Sequence, residues 1–379
     1  MDNKFFNLDN ASTTAPYPEV VRAIDIALTD DYLNMGAKYK QARVIAQKTE
    51  AIKKGMLNLI GATTGDVIIT PSATAANNLA FTAFNISTKK TALVGSGEHS
   101  SVHEVAKHLI DAGAKVEFIK LTPSGTIDLD DFKRKMTDGV SFVSVMLVSN
   151  ETGAINPVAQ IAKIAKAVNP NCIVHTDAVQ ALGKIDVNVR ALGVDMLTIS
   201  AHKICGPKGI GALYTRDKNK LKPIIFGGGQ ENGLVSGTEN FAYLSGFYTA
   251  MKIKIGRLNS DAQKALEYKL AFINALKNRQ IDFKINGQID GFSPYILNIE
   301  ITGVRGEVLL HALAESNILI ATGSACSSKK RGNRTLEAMG QTAAEIDSAI
   351  RISFSADADY DFDYIADKFK EVITFVKAN

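Results

Sequence analysis

Between residues 67 and 214, short apolar runs alternate with stretches in which apolar positions recur at helical spacing. The runs at 67–69, 91–94, 115–121, 140–148, 172–175, 195–199 and 210–214 predict strands. The periodic stretches at about 71–84, 100–112, 128–136 and 158–168 predict helices between them. Upstream, Val20, Val21, Ile24 and Leu28 predict a helix over 19–28, and Val44, Ile45, Ile52, Met56 and Leu59 another over 41–59. Strands that read as continuous apolar runs are buried on both faces. The alternation therefore predicts an α/β fold with a large, mainly parallel sheet covered by helices. In such a sheet, ligands gather at the carboxyl ends of the strands.

After about residue 250 the rhythm changes. A long helix over 258–277 precedes strands at 283–285 and 295–301, a helix over 307–314, and strands at 318–321 and 350–354. The closing helix puts Ile365, Phe369, Val372 and Val376 on one stripe. This pattern predicts a smaller α+β domain, made of residues 1–15 plus 251–379, beside a large domain over 16–250. No internal repeat or low-complexity segment interrupts either part.

Composition narrows the function classes. Of 379 residues, 46% are hydrophobic and 22% charged, as in ordinary folded proteins. A net charge of +4 gives no sign of nucleic-acid or membrane-surface binding. The start lacks the basic-then-apolar pattern of a signal peptide, and the longest apolar run, 142–148, is far too short to span a membrane. Cys172, Cys205 and Cys326 are odd in number and widely spaced, which argues against a disulfide framework or a zinc site. A reducing cytoplasm is the expected setting, with Cys172 and Cys205 structural because they lie in or beside strands.

The strand ends carry the candidate chemistry. Lys203 follows the run at 195–199 and precedes Gly206, Pro207 and Gly209. It reads either as a solvated lysine or as a Schiff-base former, which requires a phosphate site and a partner for a pyridine nitrogen. Pro71-Ser-Ala-Thr-Ala75 at a helix start offers N–H groups and hydroxyls to a phosphate, or simply caps a helix. His99 could cap a helix or stack on a cofactor ring, and Asn150 could belong to a plain turn. Asp177 is more telling. A carboxylate straight after a buried strand is costly without a partner, and a pyridinium nitrogen is such a partner. Gln180, three residues on, could reach the ring hydroxyl.

Taken together these pieces resemble a cysteine desulfurase of aminotransferase class V. The motifs are Glu98-His99, Ser149-Asn-Glu-Thr-Gly153, His175-Thr-Asp-Ala-Val-Gln180, Ser200-Ala-His-Lys203, Gly227-Gly-Gly-Gln-Glu231, Ser236-Gly-Thr238 and Gly323-Ser-Ala-Cys-Ser-Ser328. The resemblance runs from Leu8 to the last helix and implies a fold-type I, pyridoxal 5′-phosphate (PLP)-dependent transferase. It makes Lys203 the Schiff-base lysine, Asp177 the pyridinium partner, His99 the stacking and proton-shuttling histidine, and Gln180 the ring-hydroxyl partner. Ala73, Thr74, Ser200 and His202 would hold the phosphate, with Thr238 arriving from a second subunit of a homodimer. Asn150 and Arg351 would fix the carboxylate of L-cysteine.

Cys326 decides the reaction that the resemblance implies. It sits in a small, polar segment, and Lys329, Lys330, Arg331 and Arg334 would favour its thiolate. It would take the substrate sulfur as a persulfide, leave alanine, and pass the sulfur to an iron–sulfur scaffold or a tRNA-thiolation protein. Some positions depart from the family pattern. The phosphate loop usually reads Ser-Gly-Ala-Thr-Glu, the entrance motif survives only as Asn34 to Tyr39, and arginines are replaced by Asn232 and Val235. A selenocysteine lyase, another class-V lyase or aminotransferase, and a non-catalytic PLP-binding relative are the alternatives.

Overall fold

The computed structural model describes residues 5–86, 89–322 and 332–378. Cys326, Lys329, Lys330 and Arg331 lie outside the described residues. A short strand, β1 (Phe6–Asn7), precedes the large sheet. That sheet is built from β2 (Asp66–Thr70), β3 (Thr91–Gly95), β4 (Lys115–Ile119), β5 (Val140–Ser144), β6 (Ile173–Asp177), β7 (Met196–Ser200) and β8 (Gly211–Thr215).

The spatial order is β2-β8-β7-β6-β5-β3-β4. The pairs from β7 through β6, β5 and β3 to β4 are parallel, whereas β8 runs antiparallel to both β7 and β2. The chain leaves β3 for the edge strand β4 and then returns across β3 to β5. Loops that leave β3 and β5 therefore diverge, which opens a crevice at their carboxyl ends.

Alternate residues of each central strand feed two cores. Leu93, Val143, Val174 and Leu197 pack on one face, and Ala92, Phe142, Ile173 and Met196 on the other. Both faces are dry, which is why these strands read as unbroken apolar runs.

A second sheet follows the order β12-β13-β10-β9 and is antiparallel throughout. Its strands are β9 (Phe283–Ile285), β10 (Ile296–Ile301), β12 (Ala321–Thr322) and β13 (Ala349–Ser353), while β11 (Ile318–Leu319) pairs with β1. Leu8 enters the same core as Phe272, Leu297, Ile352 and Phe369. A bridge between Asp9 and Ser353 presses residues 9–12 against β13. The start of the chain and Arg351 are thereby brought to the mouth of the large sheet.

Several elements differ from the sequence pattern, among them the short helices Val189–Leu192, Arg334–Ala338 and Ala343–Asp347, which it does not predict. The strand in the run at 140–148 ends at Ser144. Val145 and Leu147 N–H still donate to the His175 and Asp177 carbonyls of β6, but on the side of β3 the Glu98 carboxylate takes the Met146 N–H. The run at 318–321 is divided between two sheets as β11 and β12. A helix at Phe241–Gly256 has no counterpart in the periodicity. It is buried around much of its circumference, so it lacks the polar face that makes a helix readable.

Candidate active site

A cavity of about 510 Å³ opens at the carboxyl ends of β2, β6 and β7. Lys203, Asp177, Gln180, His99, Ser200, His202, Ala73, Thr74, Asn150 and Arg351 all line it. Thr238 does not. It lines a neighbouring cavity of about 350 Å³ that meets the first only at Gly209 and Ile210.

Lys203 ends a single 3-10 turn, Ala201–Lys203, directly after β7. Its Nζ donates to the carbonyls of Ala11 and Ser12, at 2.6 Å each. Thr14 secures the same turn, since its N–H and hydroxyl both donate to the His202 carbonyl. His202 Nδ1 lies 3.2 Å from the Thr13 hydroxyl. Burial, and then the Lys203 and Lys208 charges, push His202 down to about 4, which keeps it neutral near pH 7.

At one end of the cavity the helix Ala73–Phe81 begins at its cap, Ser72, whose hydroxyl accepts from Ala75 N–H. The leading N–H groups, at Ala73 and Thr74, precede any intrahelical acceptor and present the positive end of the helix dipole. Gly211 makes room for this turn. It stands opposite Thr70 on one side and Ser200 on the other, so β2 and β7 end at the same level. A Cβ there would lie 2.6 Å from Ala73 N and 2.7 Å from the Ser72 carbonyl carbon.

Asp177 is the last residue of β6 and is only 6% exposed. Oδ1 accepts from Val179 N–H at 2.9 Å, and Oδ2 from the Asn77 amide at 2.8 Å. The same Asn77 nitrogen donates to the Ser101 hydroxyl at 2.8 Å, which lies 2.9 Å from His99 Nδ1. His99 caps the helix Ser100–Asp111 by accepting from Ser101 N–H. Burial lowers its proton affinity, with the Lys203 and Arg334 charges in the same direction and Asp177 and Glu151 opposing.

Gln180 is held from both sides of its amide. Its Nε2 donates to Ala11 O at 2.8 Å, and its Oε1 accepts from the buried Lys184 ammonium at 2.6 Å. Arg351 reaches in from β13, with Nη1 donating to Asn150 O at 3.0 Å and Nη2 donating to the Ser12 hydroxyl at 2.9 Å. Glu151 accepts from Asn150 and Asn333, and it faces Arg351 Nη1 at 3.5 Å. Two of the altered motif positions have clear settings. Asn232 adopts φ +59, a left-handed conformation that asparagine tolerates, and Val235 is buried in the core beneath helix Ala73–Phe81.

This architecture matches known proteins along its length. The profile of the family Aminotransferase class-V matches residues 6–361. Cysteine desulfurase IscS of Dictyoglomus turgidum is 36% identical over 324 residues, which is 85% of this chain and 82% of that one. A solved NifS-like protein superposes with a TM-score of 0.91 at 28% identity, covering 98% of this chain and all of the other. The structure of SspA in complex with cysteine gives a TM-score of 0.80 at 26% identity, covering 93% and 99%. The chain belongs to the class-V aminotransferases, among the cysteine desulfurases.

The enzyme is PLP-dependent, as that family is. Its cavity has the chemistry to hold this cofactor. Helix N–H groups and the Thr74 and Ser200 hydroxyls suit a phosphate, the Asp177 carboxylate suits a pyridinium, and the Lys203 amine can condense with an aldehyde. The space that a Cβ on Gly211 would fill lets the turn at Ser72 and Ala73 sit level with the end of β7. Several participants escaped the motif reading, namely Asp9, Asn77, Ser101, Lys184 and Gly211. Lys184 alone left a signal, a cation inside an apolar segment four residues after Gln180.

Proposed function

We propose that this chain converts L-cysteine to L-alanine and leaves the sulfur as a persulfide on Cys326 for transfer to an acceptor protein. The observation that carries this is the meeting of Lys203, Asp177, His99 and Arg351, from separate strand ends, on one cavity. Ala73, Thr74, Ser200 and His202 hold the cofactor phosphate, Gln180 contacts the ring oxygen, and Thr238 reaches the cavity of a second subunit. Bound there, PLP supplies a sink for the charge left when the substrate α-carbon loses its proton.

Asp177 holds a positive charge at the ring nitrogen, and Asn77 and Val179 fix the carboxylate for that task. Arg351 and Asn150 hold the substrate carboxylate, which orients the α-hydrogen for Lys203 Nζ. His99, kept neutral by burial, donates and accepts protons around the sulfur. The Cys326 thiolate attacks the substrate sulfur, so that an S–S bond forms as the Cβ–S bond breaks. The released electron pair stays on the carbon skeleton, which is protonated and leaves as alanine. Arg334, which begins the helix Arg334–Ala338, adds positive charge beside His99.

The working unit is a homodimer in a reducing cytoplasm. Exposed apolar side chains at Val21, Leu28, Tyr32 and Phe226 support the dimer. The unpaired Cys172 and Cys205 support the compartment. No helix of the described residues is long and apolar enough to cross a membrane. Residues 16–250 form the cofactor-binding domain, and 1–15 plus 251–379 the small domain that carries Cys326. The acceptor is an iron–sulfur scaffold or a tRNA-thiolation protein.

The test is a paired assay in which PLP-loaded protein is mixed with L-cysteine and a reductant, and alanine and sulfide are measured. Wild type should form both, and Cys326→Ala should lose at least nine-tenths of the rate. An inactive wild type would remove the desulfurase reading, and a fully active Cys326→Ala would remove the persulfide step.

A further inference from the structure

His99 is tied to Asp177 by a hydrogen-bond chain whose direction can be assigned. An ionised Asp177 is acceptor-only, so the Asn77 group 2.8 Å from it must be the amide NH2. The reversed amide would set its oxygen against a carboxylate oxygen. Both Asn77 hydrogens are then used, one on Asp177 and one on Ser101 Oγ at 2.8 Å. Asn77 Oδ1 is buried without a partner among the described residues, so the amide is oriented entirely by what it donates to. Ser101 Oγ accepts from Asn77, and its own hydrogen goes to His99 Nδ1 at 2.9 Å. The Ser101 backbone N–H donates to the same nitrogen at 3.1 Å.

We propose that Asn77 and Ser101 are positioning residues that make His99 Nδ1 a standing acceptor, so that the resting ring is neutral and presents its Nε2–H to the substrate as a donor. This rests on the role of His99 in the desulfurase reading. A proton can enter at Nδ1 only if both Ser101 donors are broken and the hydroxyl turns round. The ring is therefore held neutral, with its hydrogen on Nε2, by the two Ser101 donors that Asp177 orients through Asn77, although the Asp177 charge by itself favours the protonated ring. The charges that face the ring are Asp177 from β6, Glu151 after β5, Lys203 after β7 and Arg334 from the helix Arg334–Ala338. None of them makes a direct hydrogen bond to Nδ1 among the described residues, so the Ser101–Asn77 chain can be tested separately from them.

The experiment is nitrogen NMR of 15N-histidine-labelled protein, with and without PLP, with the His99 signals assigned by their loss in His99→Gln. Wild type should show an unprotonated Nδ1 and a protonated Nε2 across neutral pH. Donors to Nδ1 favour the neutral ring, so their removal should tighten proton binding. Ser101→Ala and Asn77→Ala should each raise the His99 protonation constant at least threefold, with a detectable Nδ1–H form. Ser101→Thr, which keeps the hydroxyl, should behave as wild type. Should Asn77→Ala fail to fold, Ser101→Ala removes only one hydroxyl and decides the matter alone. An unchanged constant and tautomer in folded Ser101→Ala would overturn the proposal. The readout needs no turnover, so an unchanged His99 in a chain that still forms alanine would refute this inference and leave the desulfurase reading standing.

Discussion

Arg351 Nη2 lies 2.9 Å from Asp9 Oδ1, although 342 residues separate the two. The pair holds the guanidinium at the cavity wall before any substrate arrives, with Nη1 on the Asn150 carbonyl. Arg351→Lys keeps the charge and loses the planar fork. Because a hydrogen bond to a charged group contributes roughly 1.5–3 kcal/mol, KM for L-cysteine should rise about tenfold to hundredfold. The kcat should change much less. Steady-state alanine formation checks this, and an unaltered KM would remove Arg351 from carboxylate binding.

Gly211 gives a prediction that concerns the cofactor and not the substrate. The Cβ of Gly211→Ala would stand 2.6 Å from Ala73 N, a backbone atom that can move only with the turn that is proposed to hold the phosphate. Overpacking of this kind costs about 1–3 kcal/mol. The variant should stay folded by circular dichroism but bind PLP at least tenfold more weakly in an absorbance titration. Wild-type affinity would show that the turn is not set by β8.

The strand rhythm was legible because dry strands read as apolar runs, and Asp177 and Lys203 stood out because charge at the end of a buried strand demands a partner. Asn77 and Ser101 were not legible. Ser101 sits in the first turn of its helix, where serine is ordinary, and Asn77 lies in the middle of Ala73–Phe81 with nothing in the sequence to mark it. Their importance comes only from the approach of β6 to two separate helices. Gly211 looked like one more residue of an apolar run. Thr238, which its motif assigns to the phosphate of a second subunit, lines the adjoining cavity within one chain.

Lys203 carries the covalent hold on the cofactor in the proposed site. Lys203→Ala should abolish the visible absorption of protein-bound PLP after gel filtration, and borohydride treatment should no longer fix the cofactor to the chain. The Asp177, Thr74 and Ser200 contacts remain, so the variant should still bind PLP reversibly. A visible band that survives gel filtration unchanged would assign the bond to another amine, with Lys208, which also lines the cavity, the next candidate by position.

Lys184 should govern part of the pH dependence of stability in the cofactor-free protein. Burial, and then the charges of Lys203 and Lys254, push its ammonium down to about 7 from an ordinary value of 10.5. Between those two values the unfolded chain carries a proton that the folded chain lacks, so stability rises with pH. The gain is lost as pH falls from 10.5 towards 7, and below 7 both states carry the proton and the dependence ends. The slope approaches about 1.4 kcal/mol per pH unit in that window. Lys184→Met removes the titrating group while keeping an unbranched chain in the same space. From pH 7 to pH 9, urea unfolding should show wild type gaining about 2 kcal/mol relative to Lys184→Met. Parallel stability curves for the two proteins would mean that Lys184 keeps its charge throughout, held by Gln180 Oε1 and the face of the Tyr295 ring.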